Sequence, residues 1–405
     1  MRWVSLWDVI RLPASDLPRD VHVLSAVAFL VAVGFGVMVP VLPVFARSFG
    51  VSQFAVGAVI SAFALMRFLT SPLCGPINRL IGERVALGIG IGIVALSTAG
   101  AGLAQSYPQL LVLRGVGGIG SAMFSVSAMV LLLASVTAAQ RGRASALYSG
   151  GFLLGGMAGP AIGGGLAAIS IRAPFFFYAF TLVLAGGVGL AMLSKHTVRP
   201  DEHSDQPEMS LREAWQQSRF RAACWANFAS GWQAQGARST LVPLLVVEVL
   251  NREAAWTGIS FAIAAVVQAI ALQPVGRLTD TWGRKPVLVV GLIACGVSSA
   301  FIPFSPNIGW LTVALCVFGA GSAALSTSPT AIVGDVTRGS GGTPVAVFQM
   351  HSDLGSIIGP LAAGALADHY PLPVAFGVGA VLMILVSAWT ASVRTKLPDD
   401  EGAVQ

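Results

Sequence analysis

Residues 276–285 read Gly-Arg-Leu-Thr-Asp-Thr-Trp-Gly-Arg-Lys, and residues 75–84 read Gly-Pro-Ile-Asn-Arg-Leu-Ile-Gly-Glu-Arg. Each stretch follows a long apolar run, and the two lie 201 positions apart. A second pair has almost the same separation. Residues 155–164 (Gly-Gly-Met-Ala-Gly-Pro-Ala-Ile-Gly-Gly) and 355–364 (Gly-Ser-Ile-Ile-Gly-Pro-Leu-Ala-Ala-Gly) share Gly-x-x-x-Gly-Pro at an offset of 200. Two different motifs at nearly one offset mark a duplicated chain.

The unit that is duplicated is apolar. Of the 405 residues, 55% are hydrophobic and 10% are charged, and mean hydropathy is +0.77. A soluble protein carries about 25% charged residues. The composition excludes an ordinary soluble enzyme, a disordered chain and a nucleic-acid binder, despite the formal charge of +6. A spanning helix needs about 20 apolar residues. Twelve candidates are present, near 23–46, 54–77, 85–104, 108–136, 144–169, 173–194, 222–247, 255–278, 286–304, 309–334, 343–367 and 371–393. Parallel repeats of this kind build transporters whose two bundles rock against each other.

The expected organisation follows. Residues 1–20 form an interfacial segment, with Trp3, Leu6, Trp7 and Ile10 on one helix face. Residues 21–194 form a first six-helix bundle, 195–221 a polar cytoplasmic linker, 222–394 a second bundle and 395–405 a cytoplasmic tail. Within the linker, Ser210-Leu-Arg-Glu213 is a capping box that opens a short helix. With the N-terminus in the cytoplasm, 18 of the 24 Lys and Arg residues fall on the cytoplasmic side. Arg47, Arg172 and Arg252 fall outside, and Arg67, Arg114 and Arg238 fall within spans. That bias sets both termini in the cytoplasm and makes the basic charge a topology signal.

These features resemble the major facilitator superfamily, and within it the twelve-span drug:proton antiporters of the plasma membrane. The loop motif is nearly complete at 276–285, and the fifth-span antiporter motif is complete at Gly155, Gly159, Pro160, Gly163 and Gly164. The fourth-span motif reads Arg114-Gly-Val-Gly-Gly118-Ile-Gly120-Ser-Ala122, and the first-span motif runs from Gly34 to Pro40-Val-Leu-Pro43. The resemblance implies an all-α integral membrane fold of twelve helices in two pseudo-symmetric bundles. It implies proton-coupled efflux of small amphiphilic compounds by alternating access, in a monomer embedded in the lipid bilayer. The alternative is an uncoupled or proton-symport transporter of a small metabolite or lipid-like molecule. No enzyme motif is present, and no cofactor or metal is expected. Cys74, Cys224, Cys295 and Cys316 show no metal spacing.

The gating residues are Gly276, Asp280, Gly283, Arg284 and Lys285. Asp280 and Arg284 stand i,i+4 and so can face each other. By resemblance, Asp280 latches onto a helix N-terminus of the other bundle. The first-half copy departs from this, with Arg79 at the Asp position and Glu83 at the Arg position. The exchanged pair could bridge locally, or Glu83 could partly replace the lost acid. The glycines of 155–164 let helices approach closely, and Pro160 permits a kink.

An arginine inside a span is costly and marks a candidate site. Arg114 takes a role in proton coupling or substrate contact by resemblance. Arg67 either snorkels to the cytoplasmic side or faces the cavity. Arg238 shares a polar stripe with Asn227, Gly231 and Gln235 that suits a cavity wall. Asp353 is the one acid deep in a span. It is either the proton site or a fixed ion-pair partner. His351, two residues away, either relays protons or holds an inter-helix hydrogen bond. The first span carries no acid of the kind that helps antiporters bind cations. If two of the intramembrane arginines line the cavity, its potential suits neutral, zwitterionic or anionic amphiphiles better than cations.

Overall fold

The computed structural model describes residues 17–137, 140–194, 209–337 and 343–393. The expected interfacial helix through Trp3 and Ile10, most of the linker and the 395–405 tail lie outside the described residues.

Apolar runs long enough to cross a bilayer become helices because only a helix satisfies every backbone group within itself. The spans are α1 (Arg19–Met38), α2 (Gln53–Ile81), α3 (Glu83–Leu103), α4 (Tyr107–Ala134), α5 (Arg141–Ile169) and α6 (Ala173–Met192) in the first half. The second half holds α7 (Ser218–Trp232 and its continuation), α8 (Ala254–Thr281), α9 (Arg284–Phe301), α10 (Ile308–Val336), α11 (Thr343–His369) and α12 (Leu372–Ser392). Ten of them are long and apolar enough to span on their own. The other two are α7 and α11. The first half of α11 carries Gln349, His351, Ser352 and Asp353, and α7 is interrupted by π-helical turns at Gln233–Leu241 and Leu245–Val249. The first span also breaks, at Val39–Val41, before a short helix resumes over Leu42–Arg47. Pro43 cannot donate to the preceding turn, which explains the break.

Helix ends carry their own signals. The Ser52 hydroxyl accepts from the Ala55 N–H at 3.2 Å, and Asn307 Oδ1 accepts from the Trp310 N–H at 3.1 Å. The capping box at Ser210 and Glu213 forms as expected and opens the short linker helix Leu211–Gln216. Between α2 and α3 the chain turns on Gly82 at φ +83, and between α8 and α9 on Gly283 at φ +94. Only glycine takes this conformation without strain, so the loop motif and its copy are conserved in geometry between the halves.

Packing repeats with the sequence. In the first half α1 lies on α5 and α6, α2 on α4, and α3 on α4 and α6. In the second half α7 lies on α11 and α12 and also on α10, α8 on α10, and α9 on α10 and α12. The Ser127 hydroxyl donates to Asn78 Oδ1 at 3.1 Å, and Thr279 meets Ser328 at 3.3 Å at the equivalent positions 201 residues on. Glycines replace side chains where helices cross, since apolar burial adds little between helices in lipid. Gly155, Gly159 and Gly163 face the backbone of α1 from Phe29 to Val37, and Gly355 and Gly359 face α7 at Phe228 and Trp232. The rim of the molecule exposes apolar side chains such as Leu96, Phe180, Ile270 and Val290, as a lipid-facing surface does.

Candidate functional site

The two bundles meet along two crossings related by the repeat, α2 with α11 and α5 with α8. At the first, Gly57 lies against the carbonyl of Pro360; at the second, Gly258 lies against that of Pro160. Gly364 packs on Gln53 and Phe54, and Gly164 packs on Ala255 and Gly258. All these contacts lie in the half of the molecule farther from the linker, here called the far face. Polar contacts reinforce them. The Ser61 hydroxyl donates to the Ile357 carbonyl at 2.6 Å. Asp368 accepts from the N–H groups of Gln53 at 2.7 Å and Phe54 at 2.8 Å, a carboxylate on a helix N-terminus. Arg47 Nε lies 2.8 Å from Glu248 Oε1. The far face is sealed.

The innermost rung of this seal is an ion pair between Arg67 Nη2 on α2 and Asp353 Oδ1 on α11. Asp353 lies ten residues into α11, about 15 Å along its axis. Arg67 thus turns to the opposite bundle and does not snorkel. His351 does not face Asp353. Its ring lies between Trp215 of the linker helix and Trp225 of α7, with centroids at 5.8 and 6.2 Å, and Nδ1 is 2.8 Å from the Val347 carbonyl. Beside it a recess of about 870 Å³ opens between Leu211, Arg212, Trp215, Gln216, Arg221 and Val347.

Arg114 is 5% exposed, with its guanidinium 4.5 Å from the centre of the Phe63 ring. It lines a cavity of about 30 Å³ with Phe35, Met38, Val39, Leu42, Pro43, Ile60, Gln235 and Ser239. That space holds a water or two; a drug-sized molecule needs roughly 300 Å³ or more. The cavity is the closed apex beneath the far-face seal. Arg238 lies over the rings of Phe261 at 4.9 Å and Phe318 at 5.8 Å. Each bundle therefore rests one arginine on a ring of its own second helix.

The expected stripe on α7 is divided. Gln235 reaches the cavity. Asn227 donates to the Phe348 carbonyl at 2.9 Å, and Gly231 lies on Ser352 of α11; neither Asn227 nor Arg238 lines the cavity. The reason is the π-helical stretch starting at Gln233. Its wider turn shifts every later side chain out of the 3.6-residue phase on which the stripe was drawn. The Ser239 and Thr240 hydroxyls donate to carbonyls five residues back, at 2.7 and 2.6 Å.

A family model described as Major Facilitator Superfamily matches residues 24–267 and 252–404. The chain belongs to the Major Facilitator Superfamily. A bacterial homologue of the human lysosomal transporter Spinster, solved in an inward-facing, occupied conformation, superposes with a TM-score of 0.74 over 92% of this chain and 95% of that one, at 16% identity. A multidrug resistance protein of Bacillus subtilis is 26% identical over 384 residues, covering 91% of this chain and 95% of the relative. The mouse synaptic vesicular amine transporter is 27% identical over 325 residues, covering 78% of this chain. The match spans about three fifths (62%) of that relative's length. The protein is a multi-pass membrane protein of this superfamily.

Set in this superfamily, the gating motif shows where sequence spacing misleads. Gly276 and Asp280 belong to the last turns of α8. Asp280 is exposed and makes no ion pair among the described residues. Arg284 does not face it. Its guanidinium turns to Asp335 and the Ala331 carbonyl at the end of α10, because the Gly283 turn reverses the chain between them. Lys285 donates to the Val393 carbonyl at 2.6 Å, and its counterpart Arg84 donates to the Leu190 carbonyl. Arg79 and Glu83 do not bridge: Gly82 stands between them, at φ +83. Contacts that sequence reading missed include Phe63 and Phe261 under the arginines, Ser61, and Asp368 on α2. Asp368 alone carried a signal, as an acid at a helix end.

Proposed function

We propose that this superfamily member is a proton-coupled exporter of small amphiphilic compounds, with Asp353 as the proton site. The observation that carries this reading is the ion pair joining Arg67 and Asp353 across the bundle interface. A guanidinium against a carboxylate competes with a proton for it. When the far face is sealed, Arg67 occupies the Asp353 carboxylate. When the bundles part at the far face, the pair separates and Asp353 is free to take a proton. Reclosure returns Arg67 to the carboxylate and expels the proton on the linker side. One conformational cycle thus carries a proton inward while substrate leaves. Arg114 and Gln235 at the cavity apex are then open to each side in turn.

The working unit is a monomer of two bundles, 21–194 and 222–394, joined by linker 195–221. The excess of Lys and Arg on the linker side supports a cytoplasmic linker face and cytoplasmic termini in a plasma membrane. The multidrug resistance relative, similar over nearly its whole length, supports export of amphiphiles.

The test is transport in proteoliposomes under an imposed proton gradient, across a chemically mixed panel of amphiphiles. The wild type responds to the gradient. Asp353→Asn loses that response and keeps downhill exchange. Gradient-independent flux of every transported compound refutes the coupling and leaves a facilitator.

A further inference from the structure

Charge inside the spans is unbalanced. Away from helix ends, the described spans hold three arginines, Arg67, Arg114 and Arg238, and one acid, Asp353. Asp353 is committed to Arg67. At the far face Glu248 is committed to Arg47, and Asp368 to the amides of Gln53 and Phe54. Among the described spans no carboxylate is left for Arg114 or Arg238.

The two arginines differ in what surrounds them. Arg238 lies over two rings. Arg114 lies over one, is the more deeply buried, and its buried Nε has no hydrogen-bond partner. A single ring face returns only a small part of what burying a guanidinium costs. Such a cation calls for an anion. None of the residues lining the cavity beside it is acidic. Gln235 places an amide there that is able to donate, while the Ser239 hydroxyl already donates to the Ala234 carbonyl. Phe35, Met38, Val39 and Ile60 make the remaining wall apolar.

We propose that Arg114 binds an anionic group of the transported molecule, so that the substrates are amphiphilic organic anions: an apolar body bearing a carboxylate or sulfonate. The anionic head sits on Arg114 beside the Gln235 amide, and the body lies along the α1 and α2 side chains. An organic cation placed there meets a guanidinium and no carboxylate. This rests on the transporter reading above but is independent of proton coupling. It separates this chain from relatives named for amines, which are 26–27% identical to it.

The experiment uses the full-length protein and three probes on one scaffold: 2-naphthoate, 2-naphthamide and 2-naphthylmethylammonium. Binding is measured in lipid nanodiscs, and exchange in proteoliposomes without a pH gradient. The wild type binds and exchanges the carboxylate at least tenfold better than the ammonium. Arg114→Gln weakens the carboxylate at least tenfold and changes the amide by less than twofold. Arg114→Lys keeps part of the preference. Gln235→Glu, which sets an acid beside Arg114, suppresses the carboxylate and admits the ammonium, and it carries the test where Arg114→Gln does not fold. Preference for the ammonium, an equal loss of all three probes in Arg114→Gln, or no binding of the carboxylate at millimolar concentration each refutes the proposal. Binding and exchange without a pH gradient do not draw on proton coupling, so loss of gradient response and loss of anion preference are read separately.

Discussion

Arg47 and Glu248 occupy equivalent positions in the two repeats, 201 residues apart, and pair with each other at 2.8 Å. A contact between equivalent positions lies on the axis that relates them, so this pair sits at the centre of the far-face seal. About a third of each side chain is exposed, and an exposed pair contributes below about 1 kcal/mol to stability. Its effect falls on the balance between conformations. Arg47→Glu or Glu248→Arg alone sets like charges together and opens the far face. A cysteine placed at Ser239 should then react several-fold faster with an impermeant maleimide added on that side. The double exchange should recover most of the protection. Equal rates in single and double variants would dissociate the pair from gating.

The glycine crossings carry the seal itself. A Cβ at Gly57 or Gly258 meets a backbone carbonyl of the opposite bundle, which cannot swing aside as a side chain can. Overpacking of this kind costs about 1–3 kcal/mol, and here the cost is paid only in the sealed state. Gly57→Val and Gly258→Val should each hold the far face open and slow transport at least tenfold while leaving each bundle folded. Distances between spin labels on the far ends of α2 and α11 would report the opening. Unchanged distances with normal transport would show that the crossings tolerate bulk.

The fold was legible because a twelve-span pattern and a 200-residue offset survive in one dimension. Helix edges and the capping box at Ser210 follow from apolar length and local side-chain chemistry. The site was only partly legible. Arg67 and Asp353 were each visible as isolated intramembrane charges, but their sequence separation of 286 gives no sign of their pairing. Asn227, Gln235 and Arg238 were grouped on a 3.6-residue period that the π-helical turns after Trp232 abolish. Asp280 and Arg284 were grouped on i,i+4 spacing that the Gly283 turn abolishes. Sequence periodicity locates neighbours only as far as the regular helix continues.

The Arg67–Asp353 pair predicts a non-additive stability cycle. Removing one partner strands a largely buried charge, whereas removing both strands none. Asp353 is 16% exposed and Arg67 34%, so solvent screening reduces the penalty to about 1–3 kcal/mol. Asp353→Asn and Arg67→Gln should each lower the melting temperature, and the double variant should melt above either single one. A double variant that melts at the additive value would make the pair a bystander.

Arg79 stands where the resemblance calls for an acid. On the α8–α9 side, Asp280 is exposed and carries no ion pair among the described residues, so it is available to a helix N-terminus of the other bundle once the linker face closes. On the α2–α3 side the same place presents a guanidinium, which a helix N-terminus repels. If Asp280 latches as the resemblance implies, the linker face is expected to have one acidic latch instead of two, and the resting population is expected to lean toward the far-face-sealed state. Arg79→Asp should supply the missing acid. It should shift the population toward linker-face closure, slow labelling of a cysteine at Ser239 from the linker side several-fold, and speed it from the far side. Asp280→Asn should do the reverse, and combining it with Arg79→Asp should bring the labelling rates back toward the wild type. If Arg79→Asp changes neither rate, the first-half motif is a tight turn and nothing more.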